Sequence, residues 1–297
     1  MTRLKHFNSV QDKIIMFIIS VVLWVSVILI LIPIVFIIAS SFSSADAIAS
    51  GLVYFWPVNF TLLGYKTILS SDYIIKGFMN TCIYTFLGTL VSVIFTILAA
   101  YPLSRKDIVG RNFLMFLFAF TMLFNGGMIP TYLVVRQLGM INTVWAMVLP
   151  NALSVWNVII TRTYFQSTIP VDLYESASLD GCRDYKFVLK IVMPLSKPII
   201  AVNVLLYAVG QWNSYFPALL YLDNPDMRPL QIVLRDILIS GLNMPNLTDV
   251  KAVVDQQYLK NLLQFSLIIV SSLPVMLLYP FIQKYFVKGI MIGAIKG

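Results

Sequence analysis

Glu175 is the only glutamate in this chain of 297 residues, and it lies within a polar segment, residues 162–197, away from any apolar run. A carboxylate there can be an ordinary solvated charge, or the acidic partner of a basic group on another molecule. Its neighbours read as a stiff elbow. Pro170 can open a helix and Asp172 can cap it. Leu173, Ala177 and Leu179 give partial helical spacing, and Gly181 fits a left-handed stop. A second amphipathic stretch carries Tyr185, Phe187, Val188, Leu189 and Ile191, with Pro194 expected to end it. The expected form is helix, tight turn, helix.

A second set of residue types suits an uncharged, hydroxyl-rich solute. Asn80, Tyr84, Asn125, Asn151, Trp156, Asn157, Asn203, Tyr207, Gln211, Trp212, Asn213 and Tyr215 lie in or beside apolar runs. Amides offer both donor and acceptor to hydroxyls. Aromatic rings offer apolar area with a polar handle. The same residues also serve as interhelical hydrogen-bonding groups or as an interfacial aromatic belt. Trp156-Asn157 and Trp212-Asn213 each couple a ring to an amide. With Asn80 and Tyr215 they are the candidates for a substrate path.

Other chemistries are poorly supplied. His6 is the one histidine, so His-based triads and zinc sites are hard to build. Cys82 sits in an apolar run and Cys182 in the charged segment, which gives no reason to pair them. No Gly-x-x-x-x-Gly-Lys-Ser/Thr phosphate loop occurs, so ATP hydrolysis is not expected of this chain. The net charge is +8, but the 21 Lys and Arg residues are scattered and form no stripe for nucleic acid.

The elements that must position these residues are membrane spans. Hydrophobic residues make up 59% of the chain and charged residues 11%, against about 25% charged in soluble domains. Mean hydropathy is +0.85. A span needs roughly 20 apolar residues. Six stretches qualify: 14–40, 77–104, 112–135, 142–161, 198–222 and 261–283, none holding Asp, Glu, Lys, Arg or His. The first is too long for a signal-peptide core and is read as an uncleaved span. With the N-terminus inside, 14 Lys and Arg fall on cytoplasmic segments and 7 outside, so both termini are expected in the cytoplasm. The expected architecture is all-α: a cytoplasmic segment 1–13, one transmembrane domain 14–283, a cytoplasmic loop 162–197, an extracellular loop 223–260 and a cytoplasmic tail 284–297.

Within the spans, Gly88, Ser92, Thr96 and Ala100 recur every four residues, a stripe of small side chains for close helix packing. The run Asn125-Gly126-Gly127-Met128-Ile129-Pro130 breaks the third span. It is either a structural kink or backbone facing a polar cavity. The absence of ionisable groups within spans counts against a proton-coupled carrier. Sodium can bind neutral oxygens alone, so a self-contained carrier or channel for a neutral polar solute remains an alternative.

The order Glu175-Ser176-Ala177, then Asp180-Gly181, Phe187, Ile191, Pro194 and Pro198 resembles the "EAA" loop of ABC importer permeases. That pattern is Glu-Ala-Ala, three residues, Gly, then an apolar stretch ending in Leu-Pro. This chain departs from it at Ser176 and Met193. Pro130, Leu138-Gly139, Asn142-Thr143 and Pro150 are similar to maltose-permease-type sugar importers, as is the glycine-bearing tail 289–297. Trp212-Asn213-Ser214-Tyr215-Phe216 resembles the branch handling oligosaccharides and polysaccharide fragments. The likeness covers most of the chain from the second span onward.

The resemblance implies a type I ABC importer permease fold in a bacterial plasma membrane. The 162–197 loop would form a coupling helix docked in a cleft of an ATPase subunit. Glu175 would pair with a basic residue there, Ala177 would allow close approach and Gly181 would make the turn, with Ser176, Asp180, Phe187 and Pro194 completing the motif. The implied partners are two ABC ATPase subunits, which would bind ATP and Mg, a second and different homologous permease, and an extracellular solute-binding protein met partly by the 223–260 loop. The cargo would be a carbohydrate.

Overall fold

The computed structural model describes residues 10–240 and 250–294, with the side chains of 240, 250–256, 259, 281–282 and 284–294 excepted. Expectations for residues 1–9 with Arg3 and Lys5, for 241–249 of the outer loop, and for 295–297 with Lys296 lie outside the described residues. Every described element is helical: α1 Val10–Ser41, α2 Ala45–Ala49, α3 Leu63–Ser70, α4 Asp72–Ser104, α5 Arg111–Leu123, α6 Met128–Gln137, α7 Val144–Val148, α8 Val155–Thr168, α9 Val171–Leu179, α10 Asp184–Phe187, a π turn Val188–Val192, α11 Met193–Leu195, α12 Lys197–Trp212, α13 Tyr215–Tyr221, a 3₁₀ turn Pro225–Met227, α14 Leu230–Ser240 and α15 Val250–Ala294.

Three stretches are long and apolar enough to cross a bilayer as single helices: Val10–Ser41, Asp72–Ser104 and Lys260–Pro280. Two more candidates are bent pairs. Arg111–Leu123 and Met128–Gln137 meet at 112°, and Asp184–Leu195 and Lys197–Trp212 at 84°. The first bend falls on the Asn125–Pro130 break. Gly127 there has φ 89° and caps α6, a backbone state that only glycine enters without strain.

Two expected spans are interrupted. The apolar stretch 142–161 splits into α7 and α8 around Pro150, which has no N–H to continue a helix. α8 then continues to Thr168, past the boundary expected at 162, because no helix breaker intervenes before Pro170. The stretch 198–222 splits at Asn213 and Ser214 into α12 and α13.

The chain divides into two compact units, one made of residues up to Ser71 with Leu234–Val270, the other of Asp72–Val233 with the chain from Ser271. In the first, α1 buries only Ala39, Ser40 and Ser41 against its own chain. The rest of its apolar surface suits lipid. Its C-terminal end is held by hydrogen bonds. Tyr65 donates to Ser41 Oγ at 2.8 Å, and Ser266 Oγ donates to the Ser41 carbonyl at 3.2 Å. Phe36 and Phe265 meet edge to face at 5.6 Å.

In the second unit α4 packs on α8 and α12. The small-residue stripe is its contact face: Ser92, Thr96 and Ala100 are fully buried. A Cβ on Gly88 would come within 2.6 Å of Gln211 Cδ on α12. Polar pairs join the same helices. Thr96 Oγ1 and Tyr207 Oη are 2.6 Å apart, Tyr207 Oη accepts from the Ser154 N–H at 3.1 Å, and Asn203 Nδ2 donates to Thr161 Oγ1 at 2.7 Å. Each is a hydrogen bond that lipid cannot supply to the separated helix.

Candidate coupling site and polar core

The elbow forms for local reasons. Pro170, not Asp172, occupies the N-cap position of α9, with φ −63° and ψ 145°. Asp172 instead sits in the first turn, where its charge complements the helix dipole. Ser176 Oγ folds back onto the Asp172 carbonyl at 2.8 Å. The helix closes after Leu179, where Gly181 adopts φ 72° and the Cys182 N–H reaches back to the Ala177 carbonyl at 2.9 Å. This is the glycine stop the sequence implied.

The second arm differs from expectation at Pro194. The helix does not end there. It passes through as a π turn, Val188–Val192, followed by α11, and it stops two residues later at Ser196. Proline cannot donate to the carbonyl four residues earlier and crowds it. Widening the turn by one residue keeps the segment helical: the Met193 N–H bonds to the Val188 carbonyl.

The elbow has two faces. Ala177, Phe187 and Val192 are buried in a cluster with Ala100 and Leu103 of α4, Val158, Tyr164 and Phe165 of α8, and Ile199 of α12. Tyr174 meets Phe187 edge to face at 5.3 Å. Glu175, Ser176, Asp180, Gly181 and Pro194 are all exposed. So is Leu179, at 90%. The motif residues therefore do not share one surface. Ala177 and Phe187 seat the elbow on α4, α8 and α12. Glu175, Ser176, Asp180 and Gly181 are presented outward.

One residue of this site escaped the sequence reading. Arg105, counted only as a cytoplasmic charge, follows the C-terminus of α4 and reaches both arms of the elbow. Its guanidinium carbon lies 3.8 Å from the Tyr174 ring centroid. Nη1 donates to Asp184 Oδ1 at 2.8 Å and Nε to Asp107 Oδ1 at 2.9 Å. These acceptors hold Arg105 more firmly protonated than usual, Asp107 contributing most. In return Arg105 keeps the Asp107 carboxyl below the ordinary aspartate range. The only local hint in the sequence was Asp107 two residues away.

The other carbonyls at the end of α4 are also engaged. Leu103 O accepts from Arg162 Nε at 2.9 Å, Ser104 O from Gln166 Nε2 at 3.3 Å, and Arg105 O from Arg111 Nη1 at 3.0 Å. Cations at a helix C-terminus satisfy the last carbonyls and the dipole together. Burial, and then the nearby Arg111, pull the Arg162 pKa down from its ordinary value.

The candidate substrate-path residues differ in burial and in partners. Trp212 is 5% exposed. Its Nε1 donates to the Ser271 carbonyl at 2.9 Å and its ring meets Phe78 edge to face at 5.8 Å. Asn80 is half-buried and donates to the carbonyls of Asp226 and Arg228 at 2.8 and 3.2 Å. Tyr215 packs on the cluster of Tyr84, Met147, Ala218, Leu222 and Ile232. Asn157 is buried, whereas its neighbour Trp156 is 58% exposed. Asn213 is exposed and bonds back to the Val209 carbonyl at 2.9 Å. Trp212 and Asn80 already have structural partners; Trp156 and Asn213 have open surface.

At the opposite end of α4 a second set of contacts ties down residues 223–230. Asn142 Oδ1 accepts from the N–H groups of Asp223 and Asn224 at 2.7 and 3.1 Å. Tyr84 Oη donates to the Met227 carbonyl at 2.8 Å, and Lys76 pairs with Asp226 at 2.9 Å. Sequence reading assigned no role to Lys76 and none of this kind to Asn142.

Residues 76–292 match the family described as binding-protein-dependent transport system inner membrane component. The chain is 43% identical over 269 residues to the polygalacturonan/rhamnogalacturonan transport system permease protein YtcP of Bacillus subtilis (strain 168), covering 89% of this chain and 92% of the relative. It is 42% identical over 269 residues to protein LplC of the same organism, covering 90% of each. Its fold is similar to a chain in the crystal structure of a bacterial ABC transporter involved in the import of the acidic polysaccharide alginate. The TM-score is 0.86 at 35% identity, covering 94% of this chain and 99% of that one.

Proposed function

The chain belongs to the binding-protein-dependent transport system inner membrane component family, and from that premise we propose that it is the permease subunit of an ATP-driven importer whose cargo is an oligosaccharide. The observation that carries the coupling reading is the two-faced elbow. An exposed carboxylate and glycine turn, Glu175 and Gly181, are backed by the buried Ala177 and Phe187. A surface like this receives force from outside and passes it to packed helices as a rigid body.

In this reading the chain crosses the membrane six times with both termini in the cytoplasm. The interrupted stretches 142–161 and 198–222 each count as one crossing. Two ATPase subunits bind ATP and Mg and seat Glu175, Ser176, Asp180 and Gly181 in their clefts. A second, non-identical permease completes the pathway. A solute-binding protein delivers cargo to the outer face, where 223–260 contributes. Trp156 and Asn213 are the path residues with open surface to offer a sugar. The cargo class is supported by a relative named for polygalacturonan/rhamnogalacturonan transport and by a structural neighbour involved in the import of alginate.

Purification in mild detergent followed by mass identification of bound chains is the first test, with ABC ATPases and a second permease expected. Proteoliposomes holding that complex are expected to take up labelled oligosaccharide only with ATP inside the compartment facing the elbow and binding protein on the other side. Uptake by the purified chain alone under an ion gradient would establish a self-contained carrier instead.

A further inference from the structure

We infer that Arg105 is a positioning residue for coupling, a latch that fixes both arms of the α9–α10 elbow to the cytoplasmic end of α4. The inference rests on the importer reading for its consequence, but its geometry is independent of that reading.

One guanidinium serves four groups, on α4, α9, α10 and the α4–α5 connection. It stacks on Tyr174 of α9 at 3.8 Å and donates to Asp184, the first residue of α10, at 2.8 Å. It binds Asp107 through Nε at 2.9 Å and lies 5.9 Å from the Tyr101 ring of α4. Tyr174 Oη donates to the same Asp184 oxygen at 3.2 Å, closing a ring from α9 to α10 through the cation. The Arg105 side chain is 14% exposed, while those of Asp107 and Asp184 are 59% and 65% exposed. The cation is thus shielded by the groups it joins, which strengthens both stacking and hydrogen bonds relative to a surface ion pair.

Lysine cannot reproduce this, because it has neither the planar fork nor the stacking face. The latch also explains how force on the elbow reaches more than one helix. The end of α4 is bonded to α8 through Arg162 and Gln166, and to α5 through Arg111. A displacement of α9 carried through Arg105 therefore moves a junction of three helices.

The native Cys182 is a reporter for this contact, since it lies in the turn between the two arms and is partly buried against the same cluster. With Cys82→Ser as background, maleimide labelling of Cys182 in native membranes measures how often the elbow lifts. Arg105→Met is expected to raise the labelling rate about tenfold, as loss of a shielded stacked cation would do to a local opening equilibrium. Arg105→Lys should fall between Met and wild type. In the reconstituted complex, Arg105→Met is expected to keep ATP hydrolysis within about twofold while uptake per ATP falls about tenfold, a split that a purely structural staple would not produce.

Unchanged labelling overturns the latch. Faster labelling with an unchanged ratio of uptake to hydrolysis also overturns it, because Arg105 would then only staple the fold. Should Arg105→Met fail to insert, Asp184→Asn weakens the latch by removing the charge that Arg105 meets on α10 and must shift both readouts in the same direction by a smaller factor. A wild-type complex with no ATP-driven uptake would sink the importer reading; the labelling series would still decide whether Arg105 holds the elbow.

Discussion

Glu175 and Ala177 are two positions apart and face opposite ways, so their substitutions should fail differently. Glu175→Gln removes an exposed charge and is expected to leave thermal unfolding in detergent unchanged while ATP-driven uptake drops by about tenfold or more, since the proposed contact with an ATPase would lose its charged pair. Phe187→Ala empties a site that is 2% exposed. It should destabilise the protein by about 3–5 kcal/mol, read as a lower unfolding temperature before any transport assay. Gly181→Ala meets no atom within 4 Å of the new Cβ, so its cost is the left-handed backbone alone, about 1–2 kcal/mol. The Asp107 carboxyl is depressed, so its contribution is complete above the ordinary aspartate value and is lost as pH falls through the lower folded value. The Arg105 cage is therefore expected to be indifferent to pH across the neutral range. The types and order of Glu175, Ala177 and Gly181 were legible in the sequence. Which face each takes was not, because a nine-residue helix with partial periodicity does not fix its own rotation. Arg105 was illegible for a plainer reason: Asp184 lies 79 residues later, and only the fold brings them together.

At the level of elements, breaks proved harder to read than runs. Hydropathy marked 142–161 as one span, yet Pro150 divides it, and the helix that follows is α8, extending to Thr168. Proline signals a break, but what the chain does next depends on which carbonyls its neighbours satisfy. At Pro194 the answer is a π turn and a continued helix. The small-residue stripe of α4 was read correctly as packing, because its four-residue period is a property of one helix. Gly88→Ala tests it. The added Cβ would press on three atoms of Gln211 at 2.6–2.8 Å, and overpacking of this kind should cost about 1–3 kcal/mol in unfolding free energy. The connection from α6 to α7 offers a sharper pair of variants. Asn142 has φ 57° and its side chain accepts two backbone N–H groups. Asn142→Asp keeps the acceptor and tolerates that backbone, so it should stay within about 1 kcal/mol of wild type, whereas Asn142→Ala should lose about 1–2 kcal/mol, chiefly through backbone strain, since water can meet the two exposed N–H groups. Denaturation of the purified chain in detergent distinguishes the two.

For the whole molecule, the sidedness of Lys and Arg is a statement about topology that chemistry can check. An impermeant maleimide is expected to reach Cys182 in inside-out vesicles and not in right-side-out ones; the reverse result would put the elbow on the wrong side of the membrane. Composition made the lipid-facing exterior of this chain evident, since so few charges cannot clothe a water-soluble surface. It said nothing of how far each helix is covered by protein, and α1, apolar from Ile14 onward, is buried in its own chain only at Ala39–Ser41. The division of the elbow has a consequence for how such a protein can change over time. In the proposed importer, the residues that keep it seated, Ala177, Phe187 and Val192, would answer to the permease alone, whereas the exposed Val171, Glu175, Leu179 and Asp180 would answer to the motor that docks there. A lineage can exchange one motor for another by rewriting only that outer set of side chains, leaving the membrane machinery beneath it untouched.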